Sequence, residues 1–261
     1  MGRLVFDNLK KTIAYTLTHL WPEVVPVLCY LAFSLPVALS SLQILVIDLG
    51  TELVPAISLA YEEAEGDIML RSPRDRIRDR LATPPLLLYA YLQIGVLETL
   101  AAFIPFFVVF KQAGVPASWL PFAADTYFKA DAPDLVIPDG RVYDEAAQLE
   151  LLSFAQSAYW MTLVLSQFWH IWMVRGRKES AFRSLKRHNI VLYLGVLIEI
   201  ALVIIFIYVP FIQPILNTAP VSGIYWVFSL VFLAVALPYT EITKHIARRS
   251  PDHFIARHLR W

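Results

Sequence analysis

The sequence ILVIDLGTELVPAISLAY, from Ile44 to Tyr61, decides the fold class of this chain. It lies in an otherwise apolar run that starts at Pro36 and is long enough to cross a bilayer, yet it contains Asp48 and Glu52. Ionised carboxylates are costly in hydrocarbon, so those at membrane depth usually face a bundle interior or a water-filled path and bind a positive charge. The stretch therefore predicts a membrane helix that contributes to a cation site.

The composition places the rest of the chain in the bilayer as well. The 261 residues are 57% apolar with a mean hydropathy of +0.56, which is too hydrophobic for a soluble domain. Six stretches each supply the roughly 20 apolar residues that one crossing needs. They cover residues 13–33, 36–59, 86–110, 155–174, 190–211 and 221–239. We predict an all-α, polytopic membrane protein with six transmembrane helices.

The basic residues predict the orientation, although the net charge is zero and gives no sign of a nucleic-acid partner. All but three of the 22 fall in the stalk at residues 1–12, in the connections after the second and fourth spans, or in the tail at residues 240–261. The exceptions are Lys111, Lys129 and Arg141. The positive-inside rule then places both termini in the cytoplasm. Residues 112–150 form an external loop, either a partner-docking surface or a passive connector.

Two of the spans contain helix breakers beside carboxylates. The breakers and the acids between them are Pro22, Glu23 and Pro26 in the first span and Gly50, Glu52 and Pro55 in the second. Breakers free backbone carbonyls, and discontinuous helices beside carboxylates build cation sites at the midplane of transporters. We expect the second span to be interrupted at membrane depth. Because Pro22 and Pro26 lie in the first span, we extend this expectation to that span. A proline kink that serves packing alone is the alternative.

The acids of the second span are four residues apart, so a continuous helix would place Asp48 and Glu52 on one face, where they repel each other. A bound cation or proton removes that repulsion, and a pair held by hydrogen bonds alone is the alternative. Other polar residues at membrane depth predict an interior shared by several helices. They are His19, Glu98, Gln167, His170 and Glu199. For each histidine, a structural hydrogen-bonding role remains the alternative.

The search for catalytic motifs is negative. The sequence has no phosphate-binding loop, no nucleophile elbow and no zinc-ligand spacing. Its single cysteine, Cys29, cannot form an intrachain disulfide. We therefore predict no catalytic residue and no cofactor in this chain, and we do not expect it to bind ATP unaided.

Six runs of sequence carry a family resemblance. They are GRLVFDNLKKTIAYTLT (residues 2–18), PEVVP (22–26), ILVIDLGTELVPAISLAYEEAEGDIMLRSPR (44–74), QIGVLETL (93–100), RGRKESAF (175–182) and EITKHIARRSP (241–251). Together they resemble the C-terminal membrane helices of P-type cation-transporting ATPase α-subunits, in the Na,K-ATPase and H,K-ATPase branch. The likeness covers nearly the whole chain and is strongest over the first 75 or so residues.

The resemblance implies a set of cation-binding residues. The principal coordinating acids are Glu23, Asp48 and Glu52. By the same matching, Thr16, Thr18 and Thr51 are ligands or close neighbours of ligands, and Tyr15, Gln167 and Glu199 surround the site of a third sodium ion. The implied ligands are monovalent cations, Na⁺, K⁺ or H⁺.

The departures from the family bear on which ions are carried. His19 stands where sodium pumps have serine and the proton pump has lysine, Leu20 replaces an asparagine ligand, and His170 replaces an aspartate. We expect His19, His170 and Glu98 to modify the site. A protonatable group at position 19 can act as an internal cation, which favours proton-linked or altered exchange. The external loop lacks the SYGQQW docking motif, so the resemblance does not extend to dependence on a β-subunit.

The family's DKTG phosphorylation motif, its nucleotide and actuator domains and its first four membrane helices have no counterpart in this sequence. ATP and Mg²⁺ would bind only in those domains, so the expectation is a fragment of a plasma-membrane, ATP-driven cation translocase whose partner is the missing N-terminal part. This chain alone is then not an enzyme. The alternatives are a free-standing, non-catalytic membrane protein that associates with or modulates such pumps, and a passive channel.

Overall fold

Six long helices dominate the computed structural model, which describes residues 2–66, 80–250, 252–259 and 261. They are α1 (Gly2–Phe33), α2 (Ser41–Tyr61), α3 (Pro84–Gln112), α4 (Glu145–Val174), α5 (Ile190–Tyr208) and α6 (Gly223–Arg249). Single helical turns lie at Ala117–Trp119, Ala123–Asp125, Ala181–Ser184, Gln213–Leu216 and Ile255–Leu259. The prediction of a mostly helical fold is confirmed.

Some predicted features lie outside the described residues. They are the basic residues Arg71, Arg74, Arg76 and Arg78 of the second connection, and Pro251 and Arg260 in the tail.

Among the described residues, four helices are long and apolar enough to cross a membrane, namely α2, α3, α5 and α6. Helices α1, with 32 residues, and α4, with 30 residues, are long enough for a hydrocarbon core of about 30 Å, but they carry more polar side chains. Every residue of α4 from 155 to 167 is buried. A helix surrounded by other helices does not need an apolar surface, so its composition weakens the hydropathy signal.

Capping residues set the starts of three helices. The Ser40 hydroxyl accepts from the backbone N–H of Gln43 to form a capping box at α2. Asp144 caps α4 and Asn189 caps α5 in the same way, each accepting from the N–H three residues later. These side chains satisfy N–H groups that would otherwise lack partners at a helix start. Helix α4 therefore begins inside the predicted external loop of residues 112–150.

Helix α1 is continuous, so the expectation that the first span is interrupted is wrong. It runs from Gly2 to Phe33 through Pro22 and Pro26. Pro26 has no N–H to offer the carbonyl of Pro22, but the Tyr159 hydroxyl of α4 donates to that oxygen at 2.7 Å. A neighbouring helix thus supplies the hydrogen bond that the proline removes, and the helix continues.

Helix α2 is interrupted where the sequence predicts. It becomes π-helical over Ile47–Thr51, and the N–H of Glu52 donates to the Ile47 carbonyl at 2.9 Å before an α-helix resumes at Leu53–Ser58. Helix α3 contains a second π-helical segment, Leu88–Gly95, that the sequence analysis did not predict. A Cβ at Gly95 would lie 2.8 Å from the Cβ of Trp21, so glycine permits the close approach of α3 to α1.

The segment between α3 and α4 folds into a small cap. The two-residue strands β1 (Leu135–Val136) and β2 (Val142–Tyr143) pair antiparallel, with Leu135 opposite Tyr143. The N–H of Phe122 donates to the Phe33 carbonyl at 2.6 Å, which joins the cap to the end of α1. Apolar side chains of the cap, including Phe128, continue the core of the helix bundle.

Candidate cation site

The first cluster of polar groups joins α1 and α2. His19 and Glu23 lie one turn apart on α1, and the Nε2 of His19 lies 3.1 Å from the Oδ1 of Asp48 on α2. One ligand atom from each of these three residues falls within 4.8 Å of the other two. The structure therefore brings together two of the three predicted coordinating acids and the predicted modifying histidine.

The π-helical segment separates the two acids of α2. The Asp48 side chain is 43% exposed, whereas Glu52 is only 1% exposed. Both residues line a cavity of about 220 Å³ together with Thr16, His19 and Leu20. The wide turn thus lets one acid face the mouth of the cavity while the other is buried.

Several buried oxygens near this cavity make no well-formed hydrogen bond among the described residues. They are Glu23 Oε1, both carboxylate oxygens of Glu52, both carboxylate oxygens of Glu199, and the Tyr15 hydroxyl. Tyr15 and Glu199 each interact electrostatically with Glu52, and the Tyr15 hydroxyl is close enough to Glu52 for a weak hydrogen bond, so these groups from α1, α2 and α5 face one another. Burying unpaired polar groups is costly, and oxygen-rich sites of this kind suit hard cations.

The second cluster, from α1, α3 and α4, is internally hydrogen-bonded. Gln167 Nε2 donates to Glu98 Oε2 at 2.6 Å and to the Thr18 hydroxyl at 3.2 Å. His170 Nδ1 lies 3.2 Å from the Thr18 hydroxyl and 3.7 Å from Glu98 Oε1, and its Nε2 lies 3.1 Å from the Tyr89 hydroxyl. The predicted residues meet here, but they largely satisfy one another. Sequence reasoning missed Tyr89, because a tyrosine in an apolar span carries no distinctive signal.

The threonine hydroxyls donate to backbone carbonyls of their own helices. Thr16 donates to Thr12, Thr18 to Tyr15 and Thr51 to Ile47. Each hydroxyl oxygen keeps its lone pairs as an acceptor, so these bonds do not exclude a cation. Thr51 is buried and precedes Glu52 in the sequence, but it does not line the cavity.

Near the N-terminal end of α1, a buried ion pair joins the stalk to the segment that follows α2. Lys11 Nζ lies 3.4 Å from Glu65 Oε1, and the backbone N–H groups of Arg177 and Lys178 also donate to Glu65. Burial lowers the pKa of Lys11 below its usual value, against the opposing effect of Glu65. Burial alone would raise the pKa of Glu65, but Lys11 and the two N–H groups outweigh it, so that pKa is lowered.

A second buried pair strengthens this junction. Arg175 Nε donates to Glu62 Oε1 at 2.8 Å, and Asn189 Nδ2 donates to the same oxygen at 2.8 Å. Asn8 of the stalk donates to the Glu62 carbonyl at 2.8 Å. The stalk of α1, the end of α2 and the start of α5 are thus fixed together, which holds the helices that carry Glu23 and Asp48 in register.

A bundle of membrane-length helices with buried acidic groups is the architecture of an integral membrane protein for ion transport. Residues 36–246 match the model of the family "Cation transporting ATPase, C-terminus". The chain belongs to this family, and the resemblance found in the sequence is confirmed.

The relatives that the chain resembles include sodium/potassium-transporting ATPase α-subunits. The alpha-B subunit of Artemia franciscana is 37% identical over 255 residues, which covers 97% of this chain and 25% of the relative. The alpha subunit of Hydra vulgaris is 35% identical over 256 residues, and the alpha-4 subunit of Homo sapiens is 36% identical over 262 residues, each covering 98% of this chain. The chain spans about a quarter of the length of these relatives and corresponds to their C-terminal region.

Proposed function

We propose that this chain is the cation-binding transmembrane part of a P-type pump that exchanges monovalent cations, Na⁺, K⁺ or H⁺, across the plasma membrane. Glu23, Asp48 and Glu52 coordinate the cation, and Thr16, Thr18 and Thr51 supply further oxygens. Tyr15, Gln167 and Glu199 complete a second position deeper in the bundle. His19, His170 and Glu98 change the number or kind of ions held.

This proposal rests on the observation that acidic side chains of α1 and α2 lie close together beside the interruption of α2. Asp48 approaches His19 and Glu23 beside the π-helical segment of α2, and the oxygens of the buried Glu52 make no well-formed hydrogen bond in the described part of the chain. A cation bound between these groups would neutralise the carboxylates and satisfy their oxygens. This neutralisation of the carboxylates gives the site its affinity for the cation.

The proposal includes six membrane crossings and both termini in the cytoplasm. Helices α1 and α4 have the length for a crossing, and the complete burial of α4 from residue 155 to 167 accounts for its lower apolar content. The distribution of Lys and Arg supports the orientation.

ATP hydrolysis, with its Mg²⁺, belongs in this proposal to domains outside this chain. The relatives named above are about four times as long, which supports a role for this chain as one part of a longer translocase. Its partners are then the lipid bilayer and the N-terminal part of the pump, with no requirement for a β-subunit.

The test is substitution of the acids in the intact pump. Asp48→Asn and Glu52→Gln should each abolish cation-dependent ATP hydrolysis and labelled-rubidium uptake, because each removes a charge that neutralises the ion. Asp139→Asn, in an exposed pair with Arg141, is the matched control and should retain both activities. Full activity in the Asp48 and Glu52 variants would show that these acids are structural and would refute the proposal.

A further inference from the structure

We propose that His19, Glu23 and Asp48 also bind a divalent first-row transition cation, with Zn²⁺ as its representative, in competition with the monovalent cargo. This inference rests on the proposed cation site, because it uses two of the same carboxylates. It adds a ligand class that the monovalent exchange does not require.

The donor set is the first reason. Neutral imidazole suits Zn²⁺, Ni²⁺ and Cu²⁺, whereas the oxygens of carboxylates, carbonyls and water suit the harder cations. One histidine nitrogen with two carboxylate oxygens supplies three protein ligands, the number found in open zinc sites that keep a further position for water. The presence of His19 therefore extends the chemistry of an acidic cation site towards transition metals.

The distances are the second reason. Zinc bonds to histidine nitrogen and carboxylate oxygen are about 2.0–2.2 Å long, so ligand atoms around a tetrahedral ion lie about 3.3–3.6 Å apart. His19 Nε2 and Asp48 Oδ1 are 3.1 Å apart, and one ligand atom from each of His19, Glu23 and Asp48 lies within 4.8 Å of the other two. A small side-chain movement of Glu23 brings all three into coordination. Its Oε1 is buried and has no hydrogen-bond partner among the residues described, so no bond opposes this movement.

Access is the third reason. Asp48 is 43% exposed and lies on the cavity of about 220 Å³ that also reaches His19. This volume holds several waters at about 30 Å³ each, so it can admit a hydrated ion and keep a water as the remaining ligand. The ion can therefore reach the cluster without displacement of the helix backbone.

The surroundings of His19 limit the affinity of the cluster for Zn²⁺. With Nε2 on the metal, Nδ1 carries the proton, and within the described residues this atom has no hydrogen-bond partner. Metal-binding histidines normally donate this second N–H, and loss of such a partner costs about 10–100-fold in affinity. We therefore expect reversible binding that is weaker than that of a structural zinc site.

The experiment is a Zn²⁺ titration of the intact protein in lipid nanodiscs, followed by calorimetry and by X-ray absorption at the zinc edge. We expect one Zn²⁺ per chain, with light-atom ligands that include one imidazole. His19→Gln and Asp48→Asn should each weaken zinc binding at least about tenfold. His188→Gln, at an exposed histidine between α4 and α5, is the matched control and should leave the affinity unchanged.

Competition with labelled rubidium separates the two proposals. Zn²⁺ should displace bound rubidium from the wild-type protein and should do so at least about tenfold less effectively in His19→Gln, while circular dichroism confirms that the variant is folded. Zinc binding that does not change in His19→Gln, or that weakens equally in His188→Gln, would overturn the transition-metal inference alone. If neither Zn²⁺ nor rubidium binds to the folded wild-type protein, the proposed monovalent site fails as well.

Discussion

The buried acids of this bundle fall into two kinds, which differ in the hydrogen bonds that their carboxylates accept. Glu98 accepts a hydrogen bond from Gln167 at 2.6 Å and lies beside His170. The other oxygen of Glu98, Oε1, has no hydrogen-bond partner among the described residues, and neither carboxylate oxygen of Glu52 or of Glu199 makes a well-formed hydrogen bond there. Since unpaired buried oxygens are costly, the second kind has the stronger need for a bound cation. This difference is invisible in the sequence, where all three are acids in apolar spans.

The Tyr159 hydroxyl gives a prediction about α1. Tyr159→Phe leaves the Pro22 carbonyl buried without a donor, so we expect the free energy of unfolding to fall by about 1–3 kcal/mol. Tyr30→Phe is the control, because Tyr30 is 41% exposed on the same helix, and its effect should be within about 0.5 kcal/mol. Denaturant unfolding in detergent measures both. Equal effects in the two variants would contradict the assigned role of Tyr159.

The pair of Lys11 and Glu65 gives a prediction about pH. Because the folded chain lowers the pKa of Glu65, its favourable contribution is complete above the ordinary glutamate value of about 4.3 and is lost as the pH falls below it. At pH 7, Glu65→Gln should reduce the free energy of unfolding by about 3–5 kcal/mol, because the buried Lys11 loses its ion-pair partner. At pH 4 the difference between the wild type and this variant should be smaller.

The measurement is the thermal unfolding midpoint of the detergent-solubilised protein at the two pH values. Asp139→Asn removes an exposed ion pair and should change neither midpoint measurably. A gap between the wild type and Glu65→Gln that is the same at pH 7 and pH 4 would contradict the lowered pKa.

A comparison of α1 with α2 shows why breaker residues interrupt one helix and not the other. Both α1 and α2 contain breakers beside acids, but only α2 changes to a π-helix. In α1 a donor from the neighbouring α4 replaces the hydrogen bond that Pro26 removes. In α2 the extra width of the π-turn accommodates one more residue, so Asp48 and Glu52 can take different environments. The outcome depends on what packs beside each breaker.

Deletion of Leu49 tests the role of the π-helical segment. Because such a segment accommodates one extra residue, the deletion restores an α-helical register that leaves the two acids three residues apart, where like charges face each other. We expect helix content to be unchanged and rubidium binding to weaken at least about tenfold. Leu49→Ala removes a side chain that is 63% exposed without changing the register, and it should bind rubidium normally. Normal binding by the deletion variant would show that the wide turn is dispensable.

At the scale of the whole molecule, α4 is the most enclosed of the six helices, although it is not one of the four that hydropathy selects. Helix α4 lies at the centre, where Tyr159 packs edge-on against Phe103 of α3 at 5.0 Å between ring centroids. Its polar residues Gln167 and His170 point into the cluster shared with α1 and α3. A hydropathy criterion therefore selects α2, α3, α5 and α6 and passes over α4, whose polar residues are enclosed by other helices.

Membrane orientation is testable with single cysteines in a Cys29→Ala background. Val136→Cys, in the cap between α3 and α4, should react with a membrane-impermeant maleimide from outside intact cells. Arg183→Cys, between α4 and α5, should react only after permeabilisation, because the basic connections are expected in the cytoplasm. Labelling of both positions from outside would contradict the six-span arrangement.

The sequence by itself determined the helical membrane class and the family, because hydropathy and family motifs are local features of the chain. Its breaker residues correctly predicted the break in α2 but wrongly extended it to α1. Only the tertiary structure decided that α1 stays continuous, that Tyr89 joins the second cluster, and that Gln167 donates a short hydrogen bond to Glu98 while Glu52 makes no well-formed one. The physical reason is that hydrogen-bond satisfaction depends on donors from other helices. Tyr159 serves Pro22 across 137 positions of sequence, and no local pattern records that contact.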